Sequence, residues 1–235
     1  MKFVLWLVIF LVTLFLGCED TKKTSDQKVK ERPLVQKDSS EIQIQSTEDL
    51  YPLITNKNVI DFLTEYGASH PETRATITTN HGAITIRLYE DTPLHRANFV
   101  YLVKQEYFNG TFFHRIVKNF IIQGGNSDDV STPRKRNKIG RKYLIPAEIK
   151  PSRNHRYGTV SGAKDYRENP DNKSAPFEFF IFLGPQTSTR HLNGNYTVFG
   201  EVIKGMNVVE KIANLPAEDD DWPIQNVYIQ NITLQ

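Results

Sequence analysis

The chain has 235 residues, which suits one domain with extensions or two small domains. Hydrophobic residues make up 39% and charged residues 24%, with a net charge of +2, so neither a disordered polyelectrolyte nor a general polyanion binder fits. A single cysteine, Cys18, excludes an internal disulfide framework and a cysteine-built metal site.

Met1 and Lys2 lead into an apolar run, residues 3–16, that is too short for a comfortable membrane span. The run ends at Gly17-Cys18 and resembles a bacterial lipoprotein signal, with Phe15 where the usual box has Leu. The resemblance implies removal of residues 1–17 as a signal peptide and lipidation of the Cys18 thiol. It also implies a lipid anchor to a membrane of the cell envelope, on its periplasmic or surface side. An uncleaved anchor and a plain signal peptide remain alternatives, and each exports the rest of the chain. Residues 18–46 are polar and charged, and read as a flexible tether that at full extension reaches roughly 90 Å.

Residues 47–73 form a short N-terminal helical extension. Val59, Phe62, Leu63 and Tyr66 fall at helical spacing, and Gly67 reads as the residue just past the helix end. Packing against the following domain explains them more simply than partner docking. Strands at 75–79 and 83–89 flank Asn80-His81-Gly82, a hairpin signal. Thr92-Pro93 reads as an N-cap with Pro in the first turn of a helix over 93–105. Strands follow at 111–117, 120–123, 158–163, 178–183 and 196–203. A second helix covers 205–213, and a last strand 224–233. Many short strands with two helices predict a closed barrel whose ends are plugged by the helices.

Residues 112–125, FFHRIVKNFIIQGG, carry the most information. A guanidinium, Arg115, and an amide, Gln123, sit among Phe113, Ile116, Phe120 and Ile121, and a cation in apolar company is costly without a purpose. The two glycines after Gln123 permit a sharp turn or a close approach. The stretch resembles the cyclophilin signature, FHR followed after seven residues by QGG. Further matches are HRANFVYLVKQEYFNGTFFHR, SGA at 161–163, FEFFIF at 177–182 and LNGNYTVFGEVIKGMNVVEKI at 192–212.

The resemblance covers 74–235. It implies a mainly β fold, an eight-stranded antiparallel barrel capped by two α-helices, and cis/trans isomerisation of X-Pro bonds in proline-containing polypeptides. No bond breaks in that reaction, so no cofactor, metal or nucleophile is needed. By the resemblance, Arg115 is the catalytic cation and Gln123 binds the substrate backbone and helps orient Arg115. Phe120, Ile121, Phe180 and Leu192 cup the proline ring, and Ala163 with the backbone of Lys164 holds the preceding residue. Tyr196 stands at the rim where many relatives have His, and His191 where drug-sensitive members carry Trp. Taken singly, these aromatics would read as barrel core.

His114, next to Arg115, is expected on the opposite face of its strand, outside the chemistry. Residues 164–176 replace a shorter Gly/Asn-rich loop and border the expected groove. The basic run 133–142 reads as a solvated loop rather than a nucleic-acid site, and no nucleic-acid partner is expected. A monomeric isomerase that assists folding of exported proteins is the leading reading. A proline-peptide binding or chaperone module with little turnover is the alternative.

Overall fold

Alternation with a period of two governs the strands, because each must bury one face in a common core. A computed structural model describes residues 51–165 and 168–235, all within one compact unit. Cys18, the signal and the tether lie outside the described residues, as do residues 47–50 of the extension. The strands are β1 (Arg74–Thr79), β2 (Gly82–Leu88), β3 (Phe112–Val117), β4 (Ile121–Asn126), β5 (Thr159–Gly162), β6 (Phe179–Phe182), β7 (Val198–Lys204) and β8 (Ile229–Leu234). The described helices are α1 (Val59–Ser69), α2 (Pro93–Lys104), α3 (Ser131–Ile139) and α4 (Met206–Ala213).

The eight strands form one antiparallel sheet in the order β3-β4-β6-β5-β7-β2-β1-β8. The sheet nearly closes on itself. Phe113 N–H donates to the Val227 carbonyl at 2.9 Å, Ile229 N–H to Thr111 at 2.8 Å and Gly110 N–H to Ile229 at 2.9 Å, so the start of β8 meets the start of β3. The interior holds Ile77, Ile84, Ile86, Ile122, Val160, Phe179 and Ile181 from the strands, with Phe99 and Val100 of α2 and Val209 and Ile212 of α4. This is the barrel with helical plugs that the pattern predicts.

The extension is part of that core. Ile54, Val59, Leu63 and Tyr66 belong to the same apolar cluster. Rings of Tyr51, Phe62 and Tyr66 meet Tyr101 of α2 edge-on at 5.6, 5.1 and 5.0 Å. Gly67 lies inside α1 rather than past its end, because α1 and α2 pack there without room for a side chain. A Cβ on Gly67 would come within 3.0 Å of the Ala97 Cβ.

Two local expectations give way to longer-range chemistry. Thr92 stands at the N-cap of α2, but its hydroxyl donates to the Tyr89 carbonyl. The Glu148 carboxylate accepts the free N–H groups of Leu94 and His95 at 3.0 and 2.9 Å instead. The basic run is helical over 133–139, in α3, rather than a loop, with Arg134, Lys138, Arg141 and Lys142 exposed. Arg136 turns inward to donate to the Tyr107 hydroxyl at 2.9 Å and Asn126 Oδ1 at 3.0 Å, lying 5.2 Å from the Phe177 ring. Satisfied donors and a ring face make burial of this cation tolerable.

Gly124 and Gly125 continue β4 and serve close approach rather than a turn. Gly125 has φ +104°, and a Cβ there would sit 2.1 Å from the Phe177 carbonyl oxygen. Gly125→Ala should therefore cost about 3 kcal/mol and lower Tm by roughly 6–12 °C. Thermal unfolding followed by circular dichroism checks this; a Tm equal to that of the parent would contradict the packing described.

Candidate active site

The site grows from one row of residues across neighbouring strands. Register places Arg115 of β3 opposite Gln123 of β4, Gln123 opposite Phe180 of β6, and Phe180 opposite Ser161 of β5. Two residues further along, Ile121 pairs with Phe182. Alternation sends Ile122, Phe179 and Ile181 into the barrel core, while Ile121, Phe180 and Phe182 form a second apolar cluster with Leu192. Phe120 and Tyr196 pack against that cluster. The site aromatics are thus separate from the barrel core.

Arg115, Gln123, Phe120, Ile121, Ala163, Lys164, Phe180, His191, Leu192 and Tyr196 all line one pocket of about 360 Å³. Every residue expected there from the sequence is brought together. Asp165 and Asn169 line it too, so the long loop after Ala163 does border the groove. Asn169 braces that loop through both Lys173 backbone groups, at 2.7 and 3.0 Å. Ser174 ties its far end to His95 Nε2 at 2.8 Å.

The rim is held from several directions. Phe120 ends the β3–β4 turn, and its carbonyl accepts from Leu183 and Gly184 N–H at 2.7 and 3.1 Å. His191, exposed, leans its ring 5.6 Å from Phe120. Lys164 sits 4.6 Å above the Tyr196 ring and donates to Asn172 at 2.5 Å; burial pulls its pKa below the usual lysine value. Behind the cup, His155 stacks 5.9 Å from Phe180. Asn193 Oδ1 can only accept, so His155 Nδ1 donates to it at 2.8 Å. This holds the segment that carries Leu192. Nε2 of His155 meets the Ser161 hydroxyl at 3.0 Å.

The polar residues are partnered differently from the expectation. No hydrogen bond joins the Gln123 and Arg115 side chains. The Gln123 amide Nε2 donates to Glu178 Oε2 at 2.8 Å, because the half-buried carboxylate offers the stronger acceptor. A carboxylate accepts only, so this bond fixes the amide and leaves Gln123 Oε1 as its free acceptor. Arg115 instead meets Asp221, whose Oδ2 accepts from Nε at 3.2 Å and lies 3.0 Å from Nη2.

Burial alone would raise the Glu178 pKa, but hydrogen bonds and charge from His114, the Gln123 amide and Arg136 hold it below the usual value. His114 is outside the pocket lining, as expected, with Nε2 3.4 Å from Glu178. The reason is not simple alternation, since β3 shifts register between Phe113 and Arg115. Sequence reasoning missed Asp221, Glu178 and His155 as site residues, while Asp165 and Asn169 fall in the loop 164–176 that it placed beside the groove. Glu178 lies within the FEFFIF match, and Asp221 and His155 carry no local signal.

The model of the cyclophilin type peptidyl-prolyl cis-trans isomerase family matches residues 74–234. The chain belongs to this family, and its enzyme class is peptidyl-prolyl cis-trans isomerase. It is 38% identical over 143 residues to a peptidyl-prolyl cis-trans isomerase of Acinetobacter baylyi, covering 59% of this chain and 70% of the relative. It is 36% identical over 162 residues to a peptidyl-prolyl cis-trans isomerase-like 2 of Rhizopus delemar, covering 68% of this chain but only 28% of that longer relative. A crystal structure of a Cryptosporidium parvum cyclophilin type isomerase, obtained in the presence of the dipeptide Ala-Pro, matches with TM-score 0.57 and 30% identity. That match covers 69% of this chain and 98% of the other.

Burial, with a smaller effect of His191, lowers the His155 pKa despite the opposing hydrogen bond to Asn193. Between the two pKa values the unfolded chain binds the proton more readily, so the His155 contribution is complete above about pH 6.5 and is lost as pH falls below it. Denaturant unfolding at a series of pH values should show stability falling with acidification in this window, with a shallower fall in His155→Gln. Identical pH dependence in both proteins would contradict it.

Proposed function

We propose that this enzyme isomerises X-Pro bonds in exported polypeptides while tethered to the cell envelope through Cys18. The observation that carries the catalytic part is Arg115 standing at the edge of an apolar cup, in register with Gln123 and Phe180. The barrier to isomerisation, about 18–20 kcal/mol, arises from conjugation between amide nitrogen and carbonyl. Reaching a turnover near 10³ s⁻¹ from the uncatalysed rate requires about 7 kcal/mol of transition-state stabilisation.

The proline ring enters the cup of Phe120, Ile121, Phe180 and Leu192. Twisting the bond removes conjugation, makes the proline nitrogen pyramidal and gives it a basic lone pair. A guanidinium donor at that nitrogen stabilises the twisted form over both planar forms, as differential binding requires. Gln123 Oε1, left free by the bond to Glu178, accepts a substrate backbone N–H. Ala163 and the Lys164 backbone support the residue before proline.

Export rests on the N-terminal sequence, Lys2, the apolar run and Gly17-Cys18. The polar residues up to 46 give the domain reach from the membrane to unfolded chains near it. No described helix is long and apolar enough to cross a membrane.

Arg115→Ala should lower kcat/KM by roughly 10²–10³, equivalent to about 3–4 kcal/mol, with folding retained because Arg115 faces the pocket. A protease-coupled peptide assay on the folded variant reads this, and unchanged activity would remove the catalytic reading. Mass spectrometry of the mature protein should find an acylated Cys18 at the N-terminus, since at least two acyl chains make such anchoring stable. An intact, unmodified segment from Met1 would refute the tether.

A further inference from the structure

We infer that Asp221 is a positioning residue for the isomerisation, holding the Arg115 guanidinium by one edge so that its other N–H groups stay directed at the pocket. The inference rests on Arg115 being the group that acts on the proline nitrogen. Nε and Nη2, which lie on one edge of the planar guanidinium, converge on Asp221 Oδ2 at 3.2 and 3.0 Å. Nη1 is left for the substrate. Gln123, the cross-strand partner of Arg115, gives its amide to Glu178, so the neighbour that register would nominate for this task is engaged elsewhere.

The segment that delivers Asp221 is built for placement. Asp221 is 106 residues from Arg115 along the chain, yet its carbonyl accepts from Ile116 N–H at 2.9 Å. Cation and counter-ion therefore hang from backbone groups fixed to each other. Asp221 has φ +68°, a left-handed conformation that non-glycine residues adopt at a cost. Asp221 N–H to the Glu218 carbonyl at 3.0 Å and Glu218 N–H to the Trp222 carbonyl at 2.8 Å close the turn that imposes it. Trp222 then seats the turn on β3, edge-on to Phe112 at 6.3 Å and tilted to His114 at 5.9 Å.

An arginine side chain has many rotamers, and only the one aimed at the proline nitrogen helps the twisted state. An unsupported side chain would have to be ordered in each turnover; here folding does that in advance. The carboxylate reduces the net charge at the site, yet it does so from the edge away from the substrate. Orientation is gained while the near N–H groups stay available.

The test uses the full chain and a proline-containing peptide in NMR exchange measurements, which give kcat at saturation and peptide affinity separately. Asp221→Ala should lower kcat about tenfold with affinity within about twofold of the parent, as loss of orientation predicts. Asp221→Asn keeps an oxygen acceptor and tolerates the left-handed backbone, and should restore kcat to within about threefold of the parent. An unchanged or raised kcat in Asp221→Ala would overturn the inference, as would equal loss in both variants. Arg115→Ala run alongside separates the two levels of the argument. Parental kcat in that variant would instead remove the role of Arg115 itself.

Discussion

Burial of β4 and β6 on both faces is the constraint on which the rest depends. Their inner faces, Ile122, Phe179 and Ile181, complete the barrel core. Their outer faces, Ile121, Phe180 and Phe182, form the second apolar cluster, and Ile121 and Phe180 line the pocket. A one-residue slip would exchange the inner and outer side chains of β4 and carry Gln123 into the barrel core, which fixes the register. The same pairing sets Arg115, Gln123 and Phe180 in one row. Part of the cup therefore stands on the same strands as the barrel core, which suits a reaction that needs shape and a fixed charge rather than bond-making groups.

Charge at the site is organised around two carboxylates. Asp221 takes Arg115 on one side, and Glu178 gathers Gln123, His114 and Arg136 on the other. Each carboxylate comes from a different part of the chain from the group it holds. Arg136 links the Glu178 cluster to Tyr107 and Gly125, so α3 braces Glu178, the partner of Gln123, without lining the pocket. The surroundings of the row thus fix the direction of its polar groups, while alternation fixes their position.

The barrel was legible because it follows from local pattern, and the pocket lining because its residues fall in stretches that resemble the family signature. The alternation in FEFFIF, the hairpin at Asn80-His81-Gly82 and the spacing from Arg115 to Gln123 each act over a few residues. What was not legible depends on distant partners. α3 has only Thr132 and Ile139 buried, so it shows no apolar stripe, and its Arg136 is tolerable inside only because Tyr107, Asn126 and Glu178 are already there. Gly67 looked like a helix end because nothing in the sequence reveals Ala97 crossing beside it. Thr92 marked the start of α2 correctly, but Glu148, far along the chain, took the capping. Asp221 is 106 residues from Arg115 along the chain, and only closure of the barrel brings the two together.

The central claim is that a fixed cation, and no proton transfer, lowers the barrier. The pH–rate profile of saturated turnover, measured in water and in deuterium oxide, tests it most directly. A guanidinium keeps its proton throughout, so kcat should be constant within about twofold between about pH 7 and about pH 9, with a solvent isotope effect near one. A bell-shaped profile, or a large isotope effect, would show a side chain passing a proton in the rate-limiting step and would contradict the account.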